Sequence, residues 1–388
     1  MLLDVISFGL IIPVLPKLIE SMEGGDTARA ARIFGLFGTS WAFMQFVASP
    51  VLGALSDRFG RRPVLLLSIT GLGLDYIVMA LAPTTMWLLI GRILNGLTAA
   101  SFSTASAYVA DVTPPEKRAA AFGLTGAAFG VGFVVGPAIG GLLGAVHPRL
   151  PFWVAAGVAL TNALWGVFVL PESLPREKRT PFSWARANPV GSLALYRGHA
   201  QLPALGGVYS LFQLAHHVLP STFVLYASHR YGWSAREVGL TLGVVGIASI
   251  VVQAGLVRPI VARLGETRSM LAGLGFGAAG MAIYGLAHTP VGFLLGVPVF
   301  ALMGLFGPAL NARMSRFVDV GDQGKLQGAN SSLMGLTGMF GPAIFTQVLA
   351  YGIGVGLPGS SFLLAAAILV VAAVVVLGLH TEEAKAVA

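Results

Sequence analysis

The sequence has 388 residues, of which 55% are hydrophobic and only 10% are charged, and its mean hydropathy is +0.80. A soluble domain carries about 25% charged residues, so this composition excludes a soluble protein and predicts an all-α integral membrane protein. The chain contains no cysteine, which excludes disulfides, thiol chemistry and cysteine metal sites. Its net charge of +8 bears on membrane topology rather than on nucleic-acid binding.

Twelve apolar stretches reach the roughly 20 residues that a membrane-spanning helix needs. The only long polar break is 171–201, between the sixth and seventh stretches. The sequence therefore predicts twelve transmembrane helices in two six-helix bundles, residues 1–170 and 202–388, joined by a cytoplasmic linker at 171–201. The predicted spans lie near residues 2–20, 32–55, 63–82, 85–108, 119–144, 150–170, 202–226, 236–257, 269–287, 291–312, 326–350 and 358–379.

The first stretch, MLLDVISFGLIIPVLP, shows no basic leader and no small-residue cleavage site, which favours a retained helix over a signal peptide. With the N-terminus in the cytoplasm, 17 of the 24 Lys and Arg residues fall in cytoplasmic loops or the tail. This distribution follows the positive-inside rule. We expect a multi-pass protein of a bacterial-type inner membrane with both termini cytoplasmic.

Span one carries Asp4. An ionisable side chain inside a membrane helix costs at least about 2 kcal/mol and is functional by default. Because Asp4 lies only about 5 Å along the helix from the first residue, it could instead cap the helix or reach cytoplasmic water. Asp4 is therefore a candidate for proton coupling, with a structural role as the alternative.

The loop between spans two and three, GALSDRFGRRPVLLL, combines small residues with charges of both signs. Small residues let helices approach closely, and we expect Asp57 to lie at a helix N-terminus, where the helix dipole favours an acid. The loop is a candidate conformational switch whose charge pairs break and re-form; the alternative is simple anchoring of the topology by arginines. The candidate switch residues are Gly53, Asp57, Arg58, Gly60, Arg61 and Arg62.

Spans three and four each carry one ionisable residue. Asp75 lies about 18 Å from the inner edge of span three and Arg92 about 10 Å from the outer edge of span four. In a hydrocarbon core about 30 Å thick these depths are similar, so the two side chains could pair. Such a pair could simply hold the bundle together. A carboxylate among apolar side chains also holds a proton more readily than one in water, so both are candidates for proton coupling.

Span five carries small residues spaced about one helical turn apart, GFVVGPAIGG. This spacing permits tight helix–helix contact and a kink at the proline. We expect a hinge or seal rather than catalysis, and generic packing is the alternative. The residues of this candidate hinge are Gly132, Gly136, Pro137, Gly140 and Gly141.

Several uncharged polar residues lie within spans. Each alone is more often interhelical glue than a ligand. The chain lacks a Walker-type Gly-rich loop, a catalytic triad and a zinc signature, so we expect neither an enzyme nor an ATP-driven pump. No cofactor is expected, and a divalent metal would arrive only with the substrate. The candidate substrate-binding residues are Gln45, Gln213, His216, Gln253 and Asn311.

The two halves of the chain repeat each other. The sequence GPAI occurs at Gly136–Ile139 and again at Gly341–Ile344, an offset of 205 residues. The same offset maps Arg58–Gly60 onto Arg263–Gly265. One offset shared by separate spans and loops predicts two parallel repeats, a known transporter plan in which the substrate lies near the midplane.

These motifs resemble those of a known transporter family. GALSDRFGRRPVLLL matches the loop signature of the major facilitator superfamily, and GFVVGPAIGG matches the span-five signature of its proton-coupled exporters. GRILNGLTAA (Gly91–Ala100) is similar to the family's basic span-four motif. LDVISFGLIIPVLP, LDYIVMAL and QLAHHVLPSTFVLY resemble the tetracycline-resistance efflux proteins. In spans eight and nine, Ser249 and Gly277 stand where those proteins carry a histidine and an aspartate.

The resemblance implies the major facilitator fold and a proton-coupled antiporter that exports a small drug-like compound, tetracycline or similar, by alternating access. It assigns Asp4, Asp75 and Arg92 to proton transfer and the span-two to span-three loop to the conformational switch. The implied partners are a small-molecule substrate, protons and the lipid bilayer, with no nucleic acid, and the expected state is a monomer. The alternatives are metabolite uptake or uncoupled facilitation within the same superfamily, and a membrane receptor.

Overall fold

All regular structure in the part of the chain that the structure describes is helical. The computed structural model describes residues 1–98, 101–114, 117–182, 188, 191–198, 201–319 and 323–387. Parts of the predicted linker and the last two residues of GRILNGLTAA therefore lie outside the described residues. The α-helices are α1 Leu2–Ile11, α2 Leu15–Met22, α3 Thr27–Phe59, α4 Arg61–Leu81, α5 Thr85–Thr98, α6 Ser101–Val112, α7 Arg118–Val146, α8 Leu150–Val169, α9 Leu202–His216, α10 Val218–Tyr231, α11 Ala235–Val251, α12 Val257–Leu264, α13 Glu266–Leu286, α14 Pro290–Ala301, α15 Phe306–Ser315, α16 Gln323–Gly354 and α17 Ser360–Val387.

Many of these helices suit a bilayer, where every backbone polar group must be satisfied internally. The predicted spans 32–55, 85–108 and 202–226 fall on α3, on α5 with α6, and on α9 with α10. Of these helices, α5, α6, α9 and α10 are each 15 residues or shorter. The protein is a multi-pass helical membrane protein, and the count of twelve spans stays a prediction. Within the described ranges, nine segments are long and apolar enough to cross a membrane: Leu2–Met22, Arg61–Leu81, Ala121–Val146, Leu150–Val169, Ala235–Leu264, Glu266–Leu286, Pro290–Ser315, Lys325–Gly354 and Ser360–Leu379.

Four of the predicted continuous spans are interrupted. The first bends between α1 and α2, where Pro13 and Pro16 remove backbone donors. The seventh is interrupted at His217, between α9 and α10. The eighth contains a π-helical turn, Val252–Leu256, and the tenth a 3₁₀ turn, Leu302–Leu305. The last two turns pack on each other through a cluster formed by Val252, Val257, Ala301 and Leu305.

The contacts divide the described residues into two compact units. The first comprises Met1–Asp26, Leu36–Pro189 and Trp233–Gly243, and its interior forms where α1 packs on α7 and α8 and where α4 packs on α5 and α8. The second comprises Thr27–Gly35, Val190–Gly232 and Val244–Ala388, and its interior forms where α13 packs on α14, α15 and α17. The domain boundaries predicted from the sequence, 1–170 and 202–388, stay a prediction.

The internal repeat is visible in the helix boundaries. Both ends of α4 and of α13 are separated by the 205 residues that separate the two GPAI sequences. A glycine with positive φ precedes each helix, Gly60 at 108° and Gly265 at 77°. The repeat equivalent of Asp75 is Gly280, which is buried and packs closely on Phe300. The two repeats therefore share the positions of their helix starts, but the second repeat has no counterpart of the Asp75 carboxylate.

The helix boundaries correct one expectation about the switch loop. Asp57 lies in the last turn of α3 and not at a helix N-terminus. The helix that starts after the loop is α4, and it begins at Arg61 because Gly60 takes a backbone conformation that ends α3. Pro137, the expected kink site, lies inside α7, which continues past it to Val146.

Candidate functional site

Asp75 on α4 and Arg92 on α5 form a buried pair in the first unit. Arg92 Nη2 donates to Asp75 Oδ2 at 3.3 Å, and the two residues are only 2% and 6% exposed. The same nitrogen lies 3.1 Å from Met79 Sδ. The depths calculated from the sequence anticipated this pairing.

The pair leaves hydrogen-bonding capacity unused. Asp75 Oδ1 and Arg92 Nε are both buried and make no hydrogen bond to the described residues. A bidentate arginine–carboxylate pair would have two shorter contacts of about 2.7–2.9 Å and would hold its charge more firmly. Gly91 makes room for the free oxygen, because a Cβ there would lie 2.5 Å from Asp75 Oδ1. Asp75 can therefore take up a proton or a ligand donor without first breaking a full salt bridge.

Asp4 lies in the same unit and is 5% exposed. Asn162 on α8 donates from Nδ2 to Asp4 Oδ1 at 2.9 Å, and the amino group of Met1 lies 3.4 Å from Oδ2. The side chain is thus buried against a neighbouring helix rather than turned to solvent. Asn162 was not singled out from the sequence, although it is the only Asn, Gln or charged residue in α8.

Gln45 lies one turn after Trp41 on α3, and its side chain is half-buried. Trp41 Nε1 donates to Asn95 Oδ1 on α5 at 2.6 Å, and the Trp41 ring stacks on Phe8 with centroids 6.0 Å apart. A Cβ on Gly96 would lie 2.7 Å from the Trp41 carbonyl oxygen. These contacts hold α3 and α5 together beside the position of Gln45.

Arg61 is the centre of the switch loop. It binds Asp57 Oδ1 at 2.5 Å, Ser56 Oγ at 2.6 Å and Asp111 Oδ2 at 3.2 Å. Asp111, at the end of α6, also accepts a hydrogen bond from Ser173 Oγ at 3.1 Å. The arginine therefore joins the end of α3 to the end of α6, and Asp111 is a member that the sequence motif did not reveal.

Glu172, beyond α8, accepts hydrogen bonds from the first two backbone N–H groups of α4, from Arg61 at 2.8 Å and from Arg62 at 3.3 Å. A carboxylate at a helix N-terminus is favoured by the helix dipole and satisfies free donors. Glu172 thus supplies the carboxylate at a helix N-terminus that was predicted to come from Asp57. The close contact of its carboxylate with the backbone requires a glycine at Gly60.

Three other switch residues lie beside this network. Arg62 Nη2 donates to the Val167 carbonyl oxygen at 2.5 Å. The Arg58 guanidinium lies 5.1 Å from the centroid of the Phe59 ring. A Cβ on Gly53 would meet nothing within 4 Å, so close helix approach does not explain that glycine.

The small residues of α7 face α1. A Cβ on Gly136 would lie 2.7 Å from Gly9 Cα and 2.9 Å from the Ile6 carbonyl oxygen. Similar restrictions hold at Gly132 and Gly140. A second face of α7 lies against α11. A Cβ on Gly141 would lie 3.0 Å from Gly239 Cα, and a Cβ on Gly239 would contact the Pro137 carbonyl oxygen. The α1–α7 seam is thus a backbone-on-backbone contact.

In the second unit, Gln213 and His216 lie one turn apart on α9. His216 is exposed and stacks on Phe212, with ring centroids 6.1 Å apart. Gln253 is exposed in the π-helical turn, and a Cβ on Gly304 in the facing 3₁₀ turn would lie 3.3 Å from its Nε2. Such π turns recur at functional sites. A cavity of about 400 Å³ opens on α9, lined by Ala204, Gly207, Val208, Ser210, Leu211, Leu214, Thr337 and Val375.

Asn311 belongs to a hydrogen-bond chain that reaches the linker. Asn330 Nδ2 donates to Asn311 Oδ1 at 3.3 Å, and the Tyr196 hydroxyl donates to Asn330 Oδ1 at 2.6 Å. The Tyr196 ring packs on Gly206, and burial raises the pKa of Tyr196 to about 12. Asn311 therefore connects α15 to α16 and to the linker.

Ser249 in span eight and Gly277 in span nine both make structural contacts. Ser249 Oγ donates to the Val245 carbonyl oxygen at 2.9 Å, one turn back on its own helix. A Cβ on Gly277 would lie 2.8 Å from Met303 Cγ and 3.1 Å from Leu369 Cδ1. An aspartate at 277 would not fit without displacing these neighbours.

Paired helical repeats, the first of which holds a buried pair of charged residues, are typical of a membrane transporter. The chain belongs to the major facilitator superfamily, whose family model matches residues 1–342. It is a membrane transporter and not an enzyme. It is 42% identical over 351 residues to the class C tetracycline resistance protein of Escherichia coli, covering 90% of this chain and 87% of that protein. It is 36% identical over 352 residues to the Escherichia coli class B protein, covering 89% and 86%.

Solved structures agree on the fold. The human organic anion transporter MFSD10 (TETRAN) matches with a TM-score of 0.71 and 24% identity, covering 97% of this chain and 96% of that one. A bacterial homologue of the human lysosomal transporter Spinster, in an inward-facing and unoccupied conformation, matches with a TM-score of 0.78 and 15% identity, covering 97% and 93%. At these identities the similarity shows the fold alone.

Proposed function

We propose that this protein is a proton-coupled antiporter that exports tetracycline or a similar small drug-like compound by alternating access. The observation that carries the proposal is the buried Asp75–Arg92 pair with its unused carboxylate oxygen. The similarity to tetracycline resistance proteins supports the substrate class. Both termini are cytoplasmic in this proposal, and the transport unit is a monomer.

The pair couples protons to substrate through its charge. A proton from outside neutralises Asp75, and Arg92 is then left buried without its counter-ion. An uncompensated buried charge is strongly unfavourable, so protonation favours a different arrangement around Arg92. Release of the proton to the cytoplasm restores the pair. If substrate prefers the deprotonated state, proton and substrate binding oppose each other, which is the linkage that exchange requires.

The switch loop and the α7 glycines support the conformational part of the cycle. Arg61 joins Asp57 to Asp111, so it can gain or lose partners as the helices move. In the proposed cycle this network is the switch, and the α1–α7 and α7–α11 contacts are the hinge and seal. Gln45, Gln213, His216 and Gln253 contribute to the substrate site, and Asn311 contributes through its contact with Asn330.

The test is exchange in proteoliposomes with an imposed pH gradient and labelled tetracycline. Asp75→Asn is expected to abolish gradient-driven exchange while leaving folding intact, because an amide cannot release a proton. Glu177→Gln, an exposed acid in the linker, is the matched control and is expected to exchange at the rate of the unsubstituted protein. Unchanged exchange in Asp75→Asn would remove the acid from the mechanism.

A drug-susceptibility panel in cells that express the chain identifies the substrate. Protection against tetracycline that a protonophore removes supports coupled export. Transport that is independent of the pH gradient would replace the proposal with uncoupled facilitation or metabolite uptake. Binding without transport would replace it with a receptor.

A further inference from the structure

Tyr76 carries a hydroxyl that the mechanism above does not use. The residue is 0% exposed, and its hydroxyl is buried without a hydrogen-bond partner among the described residues. Buried polar groups are nearly always hydrogen-bonded, so an unpartnered one needs an explanation. Tyr76 directly follows Asp75 on α4, and the charges of Arg92, Asp75 and Asp4 all act on its hydroxyl.

The charged groups around this hydroxyl come from three helices. Asp4 lies on α1 with the amino group of Met1 beside it, and Arg92 lies on α5. On α4 itself the neighbour is Asp75. The fourth neighbour, α8, contains no Asp, Glu, Lys, Arg or His, and it presents Asn162 to Asp4. The Tyr76 hydroxyl is thus buried and unpartnered in a region that holds two carboxylates.

We propose that Tyr76 connects Asp75 and Asp4 so that the two carboxylates carry one proton as a pair, and that Asn162 is a positioning residue for Asp4. This inference rests on the proposed function. A phenol both donates and accepts a hydrogen bond, so it can join two carboxyl groups. The amide of Asn162 donates to Oδ1 of Asp4 and fixes the orientation of the carboxylate. Oδ2, which lies 3.4 Å from the amino group of Met1, is the oxygen that receives the proton in this proposal.

The proposed step conserves its atoms and charges. In a state of the cycle that brings the groups together, the carboxyl group of Asp75 gives its proton to the Tyr76 oxygen. The Tyr76 O–H bond breaks at the same time, and that proton passes to the carboxylate of Asp4. One O–H bond forms and one breaks on Tyr76, which ends unchanged. The negative charge moves from Asp4 to Asp75, where Arg92 receives it.

Tyr76→Phe tests the proposal, because it removes one oxygen and keeps the ring. Tyr284→Phe in the second unit is a matched control. Tyr284 is also 0% exposed with an unpartnered hydroxyl, but among the described residues no charged group acts on it. We expect Tyr76→Phe to lower gradient-driven exchange about 100- to 10,000-fold, the typical contribution of a positioned proton-transfer group. Tyr284→Phe is expected to stay within about twofold of the unsubstituted protein, as for a site without acid–base function.

Two further measurements separate proton transfer from packing. In an Asp4→Asn background the effect of Tyr76→Phe should disappear, because the acceptor is already gone. Asn162→Leu should shift the pH profile of exchange while substrate binding without a gradient is unchanged. A purely structural Asn162 would lower both together and leave the pH profile in place.

The outcomes distinguish this inference from the proposed function. If the unsubstituted protein shows no gradient-driven exchange, the proposed function itself fails. If it exchanges normally and Tyr76→Phe matches Tyr284→Phe, the function stands and the role of Tyr76 is overturned. If Tyr76→Phe lowers exchange by the same factor in the Asp4→Asn background as in the unsubstituted protein, the hydroxyl does not act through Asp4 and the proposal is also overturned.

Discussion

At the scale of single residues, the Asp75–Arg92 pair depends on the absence of a side chain at Gly91. One oxygen of Asp75 contacts Arg92, and the other faces Gly91. The carboxylate is therefore confined between an arginine and a helix backbone. This arrangement makes the position of the acid sensitive to one methyl group.

Gly91→Ala tests this sensitivity. The new Cβ would lie 2.5 Å from Asp75 Oδ1 and 3.2 Å from Met79 Cγ, so the carboxylate must shift from its present position beside Arg92. We expect a loss of about 1–3 kcal/mol in unfolding free energy, typical of overpacking, and slower exchange. Gly157→Ala on α8 is the control, since a Cβ there meets nothing within 4 Å. Replacing a helical glycine with alanine should stabilise that variant by about 0.5–1 kcal/mol. Equal melting temperatures in detergent for the two variants would contradict the argument.

The pairing of Asp75 with Arg92 was predictable because both residues lie on helices of known rise, so that depth follows from residue count. The partners of the other charged groups were not. Glu172 lies 111 residues from Arg61, and Asn162 lies 158 residues from Asp4. No local sequence pattern shows which helices become neighbours in the fold. Glu172 and Asn162 are also common residue types that belong to no recognisable motif. Tyr76, the residue proposed to connect the two carboxylates, carried no signal in the sequence because tyrosine is a common packing residue.

At the scale of helices, the two repeat-related starts of α4 and α13 differ in what surrounds their glycines. Both Gly60 and Gly265 have positive φ. Gly60 also lies against the Glu172 carboxylate, with Cδ 2.7 Å from a Cβ built there, whereas Gly265 has open space. The start of α4 thus combines a backbone conformation that requires glycine with a side-chain cap from Glu172, and the start of α13 has the backbone requirement alone.

We expect Gly265→Ala to cost about 1–2 kcal/mol, the penalty for an L-residue with positive φ. Gly60→Ala should cost more, because its methyl group also displaces Glu172 from the α4 N–H groups. The additional cost should vanish in a Glu172→Ala background, where no cap remains to be displaced. Thermal unfolding of the four variants in detergent measures both differences. An additional cost that persists without Glu172 would assign it to the backbone instead.

The helix interruptions show where hydropathy alone is an incomplete guide. Hydropathy predicted spans eight and ten as continuous because their composition is uniformly apolar. A proline follows each interruption, Pro259 after the π-helical turn and Pro308 after the 3₁₀ turn. Because a proline removes the hydrogen bond to the residue four positions before it and clashes with that carbonyl, each proline disturbs the turn that precedes it. The two turns then pack on each other at Val252, Val257, Ala301 and Leu305.

At the scale of the whole molecule, the absence of cysteine from the sequence makes topology directly testable. The charge distribution predicts that Glu177 in the linker is cytoplasmic and that the loop between α16 and α17, which contains Val355, is external. Both residues are exposed, so a cysteine at either position can react.

A membrane-impermeant maleimide added to intact cells should label Val355→Cys and leave Glu177→Cys unlabelled. Permeabilised cells should label both, which controls for reactivity. The unsubstituted protein supplies a background of zero. Labelling of Glu177→Cys in intact cells would invert the proposed orientation and with it the direction of the proton cycle.

The difference between Asp75 and its repeat equivalent Gly280 bears on how much variation each repeat tolerates. The first repeat carries the buried ionisable pair, and the second fills the same register with packing against Phe300. Under the proposed function, the second repeat can therefore vary without loss of proton coupling. We expect libraries that vary Gln213, His216 and Gln253 to yield altered drug spectra far more often than equal libraries around Asp75.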